Sequence, residues 1–112
     1  MKVHRYETSG GKDLILAYIN KLSKKEQVDA FSVMEKMESG NFDGLTIKPW
    51  RGKIAEVYFY KHNRIFYIIA DSDNIYLLHA CRKQKNRTEE QDNEKVEKRA
   101  KELGNVLCKK FI

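Results

Sequence analysis

Three ionisable side chains, Glu56, Arg64 and His79, lie in consecutive segments that are rich in β-branched and aromatic residues. If these segments form an antiparallel meander, side-chain alternation places all three on the same sheet face. A carboxylate and a guanidinium on one face can converge on a phosphate, because the planar guanidinium binds phosphate oxygens through two parallel hydrogen bonds. They can equally form a structural cross-strand ion pair, and a lone histidine in a sheet is more often structural than catalytic. The residues alone leave both interpretations open.

A basic run follows the last of these segments, where the chain leaves the predicted sheet. It holds four cations in six residues and no acid. A solvated loop usually mixes charges of both signs, so this run favours phosphate binding. The run is Arg82-Lys83-Gln84-Lys85-Asn86-Arg87.

The net charge of +6 comes entirely from residues 48–87, because the segments before and after them are each neutral. A concentrated basic field predicts a polyanionic partner, most often a nucleic acid, although chance clustering in a basic protein remains an alternative. The nine basic residues of this segment are Lys48, Arg51, Lys53, Lys61, Arg64, Arg82, Lys83, Lys85 and Arg87.

The elements before residue 41 are predicted to be a strand and two helices. Residues 3–8 read as a short strand, and residues 12–22 carry apolar side chains at helical spacing. Ser23 followed by Glu26 is a capping-box pattern that begins a second helix, which ends at Gly40. The apolar stripes of this helical hairpin need a sheet to cover them.

The remainder of the chain is predicted to supply that sheet and a last helix. Residues 41–52 read as a loop because they contain Gly44, Pro49 and Gly52. Strands are predicted at 54–60, 64–70 and 75–81, and a helix from Thr88 to Gly104. The fold class is therefore α+β: an N-terminal strand and helical hairpin packed on a three- to four-stranded antiparallel sheet, with a C-terminal helix.

The register of the meander follows from the lengths of its turns. A three-residue first loop places Tyr60 opposite Arg64. This register predicts that Leu77 shares a face with Glu56, Arg64 and His79. It places Leu78 on the other face, among the apolar residues that pack under the helices.

Length and composition exclude several protein classes. A chain of 112 residues is expected to form a single domain spanning residues 1–112. No apolar stretch of about 18 residues is present, so no membrane span is expected. Cys81 and Cys108 are expected to be reduced thiols in a cytoplasmic protein that needs no metal or other cofactor.

Five short motifs in order resemble the RelE/ParE toxin superfamily, and most closely its HigB-like branch of phage-related killer proteins. The motifs are Lys48-Pro49-Trp50-Arg51-Gly52-Lys53, Ala55-Glu56-Val57, Asn63-Arg64-Ile65-Phe66-Tyr67, Leu77-Leu78-His79-Ala80, and Lys83 through Thr88 followed by a helix. Two departures affect the basic set. Tyr58 stands where the family commonly has arginine, and Gln84 replaces a lysine.

The resemblance implies a RelE-like fold and a metal-free endoribonuclease that cuts messenger RNA, usually on the ribosome, leaving a 2′,3′-cyclic phosphate. It implies that Arg64 stabilises the phosphorane, and that Glu56 is the base unless Arg64 holds it in an ion pair. His79 and Tyr58 are candidates for the acid or for base stacking, and Lys83 binds phosphate. RNA-binding residues are expected to be Lys48, Arg51, Lys53, Tyr58, Arg82, Lys85 and Arg87.

The expected partners are a cognate antitoxin of helix-turn-helix type, messenger RNA and the ribosome. ParE-like members instead inhibit DNA gyrase without nuclease activity, and the tail Lys109-Lys110-Phe111-Ile112 keeps that alternative open. An RNA-binding module without activity is a third possibility.

Overall fold

A five-stranded mixed sheet with helices on both faces forms the protein. A computed structural model describes residues 1–83 and 90–112. The strand order is β1-β5-β4-β3-β2, and β1 runs parallel to β5 while the other neighbours are antiparallel. The elements are β1 (Lys2–Arg5), α1 (Leu14–Asn20), α2 (Lys24–Glu38), β2 (Thr46–Arg51), β3 (Ile54–Phe59), β4 (Asn63–Ile69), β5 (Asn74–Arg82) and α3 (Glu90–Leu107).

The α+β class is confirmed, but the sheet has more strands than predicted and is mixed rather than antiparallel, because β1 pairs in parallel with β5. The segment 41–52 was expected to be a loop, and that expectation is wrong for β2, which pairs with β3 at the sheet edge. Pro49 is tolerated there because an edge strand can lack one amide donor without losing a ladder hydrogen bond. The register shifts between Pro49 and Arg51, so the proline lies at an irregularity, which also suits it.

The helical hairpin covers one face of the sheet. The Asp13 carboxylate caps α1 by accepting from the Leu16 N–H at 2.9 Å, and Ser23 and Glu26 form the predicted capping box of α2. The side chains that this hairpin buries against the sheet are Ile15, Ile19, Ala30, Val33, Met34 and Met37.

The second core lies on the opposite face, beneath α3. Val96 and Ala100 of α3 pack there with Phe66 and Ile68 of β4. The helix was predicted to end at Gly104 but continues to Leu107. Residues 84–89, which include the predicted helix start at Thr88, lie outside the described residues. Residues 1–83 and 90–112 contain no helix that is long and apolar enough to cross a membrane.

The predicted register is wrong by two residues in the first hairpin. Tyr58, rather than Tyr60, lies opposite Arg64. Because side chains alternate with a period of two, a two-residue shift leaves the residues of β3 and β4 on their predicted faces. Tyr60 is the exception, because it lies beyond the end of β3 and packs against the core under the hairpin instead of the charged face. In the second hairpin the register shifts between Phe66 and Tyr67, so Leu77 lies opposite Tyr67. Leu77 therefore joins the core under the hairpin and Leu78 joins the core under α3, which reverses the prediction for both.

The C-terminal tail packs back on the domain. Phe111 is buried in the core under α3, and its carbonyl accepts from the Lys53 N–H at 2.8 Å. Two glycines leave space for the tail: a Cβ at Gly52 would overlap the Phe111 carbonyl, and a Cβ at Gly104 would overlap the Lys109 carbonyl. The tail is therefore part of the fold.

Replacing Gly52 by alanine should destabilise the protein by displacing this tail. Gly52 has φ 54°, so alanine adds backbone strain, and the new methyl group also collides with the tail that buries Phe111. We expect a loss of about 3 kcal/mol or more in the free energy of unfolding, measured by urea denaturation. Gly44→Ala is the matched control, since Gly44 has φ 82° and open space around it, and should lose only about 1–2 kcal/mol. Equal losses in the two variants would contradict the role of Gly52 in seating the tail.

Candidate functional site

A buried ion pair joins β3 and β4 on the face covered by α3. Arg64 Nη1 donates to Glu56 Oε1 at 2.7 Å, and the two side chains are 2% and 8% exposed. Arg64 Nε donates to Cys81 Sγ of β5 at 3.4 Å, and the guanidinium lies 4.9 Å from the ring centroid of Phe66. The guanidinium thus links three adjacent strands.

The surroundings of Arg64 favour its protonated, positively charged form. Burial by itself would lower the pKa of Arg64, but the hydrogen bonds to Cys81 and Glu56 outweigh it and raise the pKa. Burial raises the pKa of the Cys81 thiol to about 11, against an opposing effect of Arg64, so the thiol is neutral at physiological pH. Glu56 was expected to be the base unless Arg64 held it in an ion pair. The structure shows that ion pair, so Glu56 is not free to act as a base.

Two lysines and a tyrosine lie beside this pair. The Tyr58 hydroxyl donates to Glu56 Oε1 at 3.3 Å, so Tyr58 connects the buried pair to the cleft that it lines. Lys48 Nζ and Lys83 Nζ each lie 5.4 Å from the centroid of the Tyr58 ring. Lys48 comes from β2 and Lys83 directly follows β5, so strands on both sides of β3 contribute to the group around Tyr58.

A basic cleft of about 460 Å³ opens at this end of the sheet, between α2, β2 and the loop that joins β3 to β4. One of its lining residues is an acid, Asp29, and its carboxylate accepts from the Tyr60 N–H at 2.6 Å. The lining includes four lysines and two tyrosines: Lys36, Lys48, Lys61, Lys83, Tyr58 and Tyr60. This cleft can therefore take an anion together with a flat ring.

His79 shares the sheet face with Glu56 and Arg64, as predicted, but it is held by α3. Its Nε2 lies 2.7 Å from Asp92 Oδ1, and its Nδ1 lies 3.2 Å from Arg99 Nη1. A guanidinium can only donate, so Nδ1 accepts and the proton is on Nε2, which donates to Asp92. Burial lowers the pKa of His79 against the opposing effect of Asp92, with Arg99 and Lys95 lowering it further. His79 is therefore a neutral ring that ties β5 to α3.

Three potential metal ligands meet at the same place, although the sequence led us to expect no metal site. The ligand atoms of His79, Cys81 and Asp92 lie within 4.8 Å of one another. Their hydrogen bonds oppose metal binding, because a metal on His79 Nε2 would leave an Nδ1–H pointing at the Arg99 guanidinium. We assign this cluster to the attachment of α3.

The remaining predicted RNA-binding residues are spread over the molecule. Arg51 pairs with Glu97 of α3, and Arg82 pairs with Glu26 of α2 at 3.0 Å. Lys53 is exposed at the opposite end of β3 from Tyr58. Lys85 and Arg87 lie outside the described residues.

The structure thus brings together five of the predicted site residues and separates Arg51, Lys53 and Arg82 from them. The gathered residues are Lys48, Glu56, Tyr58, Arg64 and Lys83.

The partners of His79 could have been found by helical periodicity. Asp92, Val96, Arg99 and Leu103 follow the spacing of one helical face, and that face packs on the sheet. Polar residues on a buried helical face require partners in the opposing sheet. Asp92 and Arg99 both reach His79.

The mixed sheet, with two helices from the N-terminal region and a C-terminal helix, is consistent with a RelE-like fold. Residues 17–101 match the model of the phage-derived protein Gp49-like family (DUF891). The chain therefore belongs to the Gp49-like family, which is of the RelE/HigB-like toxin type and is associated with toxin–antitoxin toxins. No curated protein matches the chain in sequence.

The buried pair should show strong coupling in a double-mutant cycle. Arg64→Met leaves the Glu56 carboxylate buried without a counter-charge, which we expect to lower the free energy of unfolding by about 3–5 kcal/mol. Adding Glu56→Gln removes that charge and should recover most of the loss. Urea denaturation of the two single variants and the double variant measures the coupling. Additive losses would show that the two side chains do not depend on each other.

Acid should weaken the fold through His79. Because the pKa of His79 is lower in the folded protein than its ordinary value of 6.5, the unfolded chain binds more protons just below that value. Stability contributed by the neutral ring is present above pH 6.5 and is lost as the pH falls below it. We expect His79→Gln, whose amide can replace the Nε2 donor, to lose less stability than the wild type between pH 7.5 and 5.5. Parallel pH profiles for the two proteins would contradict this assignment.

Proposed function

We propose that this chain is the toxin of a type II toxin–antitoxin pair, of the HigB-like branch, and that it cleaves messenger RNA on the ribosome without a metal ion. One observation carries the proposal: Lys48 and Lys83 flank Tyr58 in a basic cleft beside the Glu56–Arg64 pair. Membership of the Gp49-like family supports the toxin class.

The proposed reaction is an internal transesterification of RNA. The 2′-oxygen attacks the adjacent phosphorus, and the bond from phosphorus to the 5′-oxygen breaks. The proton of the 2′-hydroxyl goes to a base, and an acid delivers a proton to the leaving 5′-oxygen. The products are a 2′,3′-cyclic phosphate and a 5′-hydroxyl. Cations must offset the extra negative charge of the phosphorane.

The gathered residues differ in which of these requirements each can meet. We assign phosphate binding and charge stabilisation to Lys48 and Lys83, whose ammonium groups line the cleft. Tyr58 is the proton-transfer candidate that lines the cleft, and its hydroxyl already donates to Glu56. Glu56 acts as a positioning residue, because it would have to leave Arg64 before it could accept a proton from RNA.

Arg64 retains the phosphorane role that the resemblance implies, through its second amino group. Among residues 1–83 and 90–112, Arg64 Nη2 has no hydrogen-bond partner. Leaving a buried donor unpaired is costly, and a phosphate oxygen would satisfy it. The side chain is 2% exposed, so this contact requires the site to open when RNA binds.

The C-terminal tail favours the nuclease over the gyrase inhibitor. In this chain Phe111 is buried and its carbonyl is bonded to Lys53, so the apolar part of the tail serves the fold. A helix-turn-helix antitoxin remains the proposed protein partner on the strength of the family resemblance.

Expression without an antitoxin should arrest growth and stop protein synthesis before DNA replication. Pulse labelling with an amino acid and with thymidine measures the order of the two events. The Lys48→Gln/Lys83→Gln double variant should lose toxicity, because it removes both ammonium groups beside Tyr58. Lys98→Gln/Lys101→Gln is the matched control, since these exposed lysines of α3 carry the same charge away from the cleft. Replication stopping first, with DNA breaks, would support the gyrase inhibitor instead.

A further inference from the structure

We infer that the loop Tyr60–His62, together with Lys36 of α2, forms a subsite for one unpaired nucleotide of single-stranded RNA, next to the group around Tyr58. This inference rests on the proposed function and extends it to residues that the family motifs do not include. The loop and Lys36 form one wall of the basic cleft.

The backbone of this loop is strained by residues that are not glycine. Tyr60 has φ 32° and Lys61 has φ 67°, which lie in the left-handed region. Glycine or asparagine usually occupies such turn positions, because other side chains cost stability there. Tyr60 contributes partly to the core, but Lys61 is exposed and its ammonium group only approaches the Tyr60 ring, at 5.7 Å. Packing therefore does not explain a lysine at this position, whereas ligand binding does.

The loop is held rigidly beside the candidate site. The Tyr60 N–H donates to Asp29 of α2, and Asn63 Nδ2 donates to the Tyr60 carbonyl at 3.2 Å. The Lys83 N–H donates to the His62 carbonyl at 2.6 Å. The last bond joins the loop directly to a lysine of the Tyr58 group, so the subsite and that group keep a fixed separation.

The chemistry of the cleft suits a nucleotide better than an acidic peptide. Lys36 and Lys61 add two cations to Lys48 and Lys83, and the loop adds the rings of Tyr60 and His62. Lysines bind phosphates, while bases stack on aromatic rings, and this combination is typical of single-strand binding. An acidic peptide would use the cations and leave the rings without a partner. A cleft of about 460 Å³ falls within the range of sites that hold small molecules, roughly 300–1,000 Å³.

Lys61→Gly separates ligand binding from a structural role, because it removes the charge and also relieves the strain. The probe is a fluorescent RNA hexamer with 2′-O-methyl ribose throughout, which cannot be cleaved, and binding is followed by fluorescence anisotropy. We expect roughly fivefold weaker binding at low salt, and a plot of log affinity against log salt that is shallower by about 0.7. The melting temperature should stay unchanged or rise. Lys101→Gln, a charge-matched control on α3, should leave binding and salt dependence unchanged.

Three outcomes would overturn the inference, and they distinguish it from the proposed function. If Lys61→Gly binds like the wild type while Lys48→Gln/Lys83→Gln does not, the subsite is wrong and the proposed function stands. If hexaglutamate displaces the hexamer as well as unlabelled RNA does, the wall binds an acidic protein segment instead. If the wild type shows no salt-dependent binding to the free hexamer, the subsite is wrong, while the toxicity and pulse-labelling assays still decide the proposed function, because cleavage on the ribosome does not require affinity for free RNA.

Discussion

The buried ion pair between Arg64 and Glu56 constrains the face of the sheet on which the candidate site is built. A charge in a core requires a partner with good geometry, because an isolated buried ion costs several kcal/mol. Here the guanidinium is fixed by Glu56, by Cys81 and by the Phe66 ring, and Glu56 also accepts from Tyr58. The positions of these side chains on three adjacent strands are therefore interdependent.

That constraint explains how a small fold can position a polar site. One face of the sheet is covered by the helical hairpin and is almost entirely apolar, so it fixes the sheet without entering the chemistry. The other face carries the ion pair and is covered by α3 and the tail. Lys48, Tyr58 and Lys83 lie where this second face reaches the basic cleft. There the buried Glu56–Arg64 pair lies next to the lysines of the cleft. The lysine cations are therefore positioned beside a low-dielectric interior.

Alternation along the strands allowed Glu56 and Arg64 to be placed on one face from the sequence, since a register error of two residues does not change faces. The irregularity between β4 and β5 shifts the register by one residue, and the sequence pattern does not reveal it. The predicted faces of Leu77 and Leu78 were therefore reversed. The edge strand β2 was missed because Pro49 and the flanking glycines are typical of a loop. Ion pairs such as Arg51 with Glu97 depend on tertiary packing that single-sequence patterns do not contain.

The most direct test of the central claim is the chemistry of the RNA ends that expression of this chain produces. Total RNA is taken within minutes of induction, and 5′-hydroxyl ends are mapped separately from 5′-phosphate ends. The account predicts new 5′-hydroxyl ends inside translated messages, each matched by a 2′,3′-cyclic phosphate on the upstream fragment, as 2′-oxygen attack requires. Growth arrest with no new RNA ends, or with 5′-phosphate and 3′-hydroxyl ends, would contradict it.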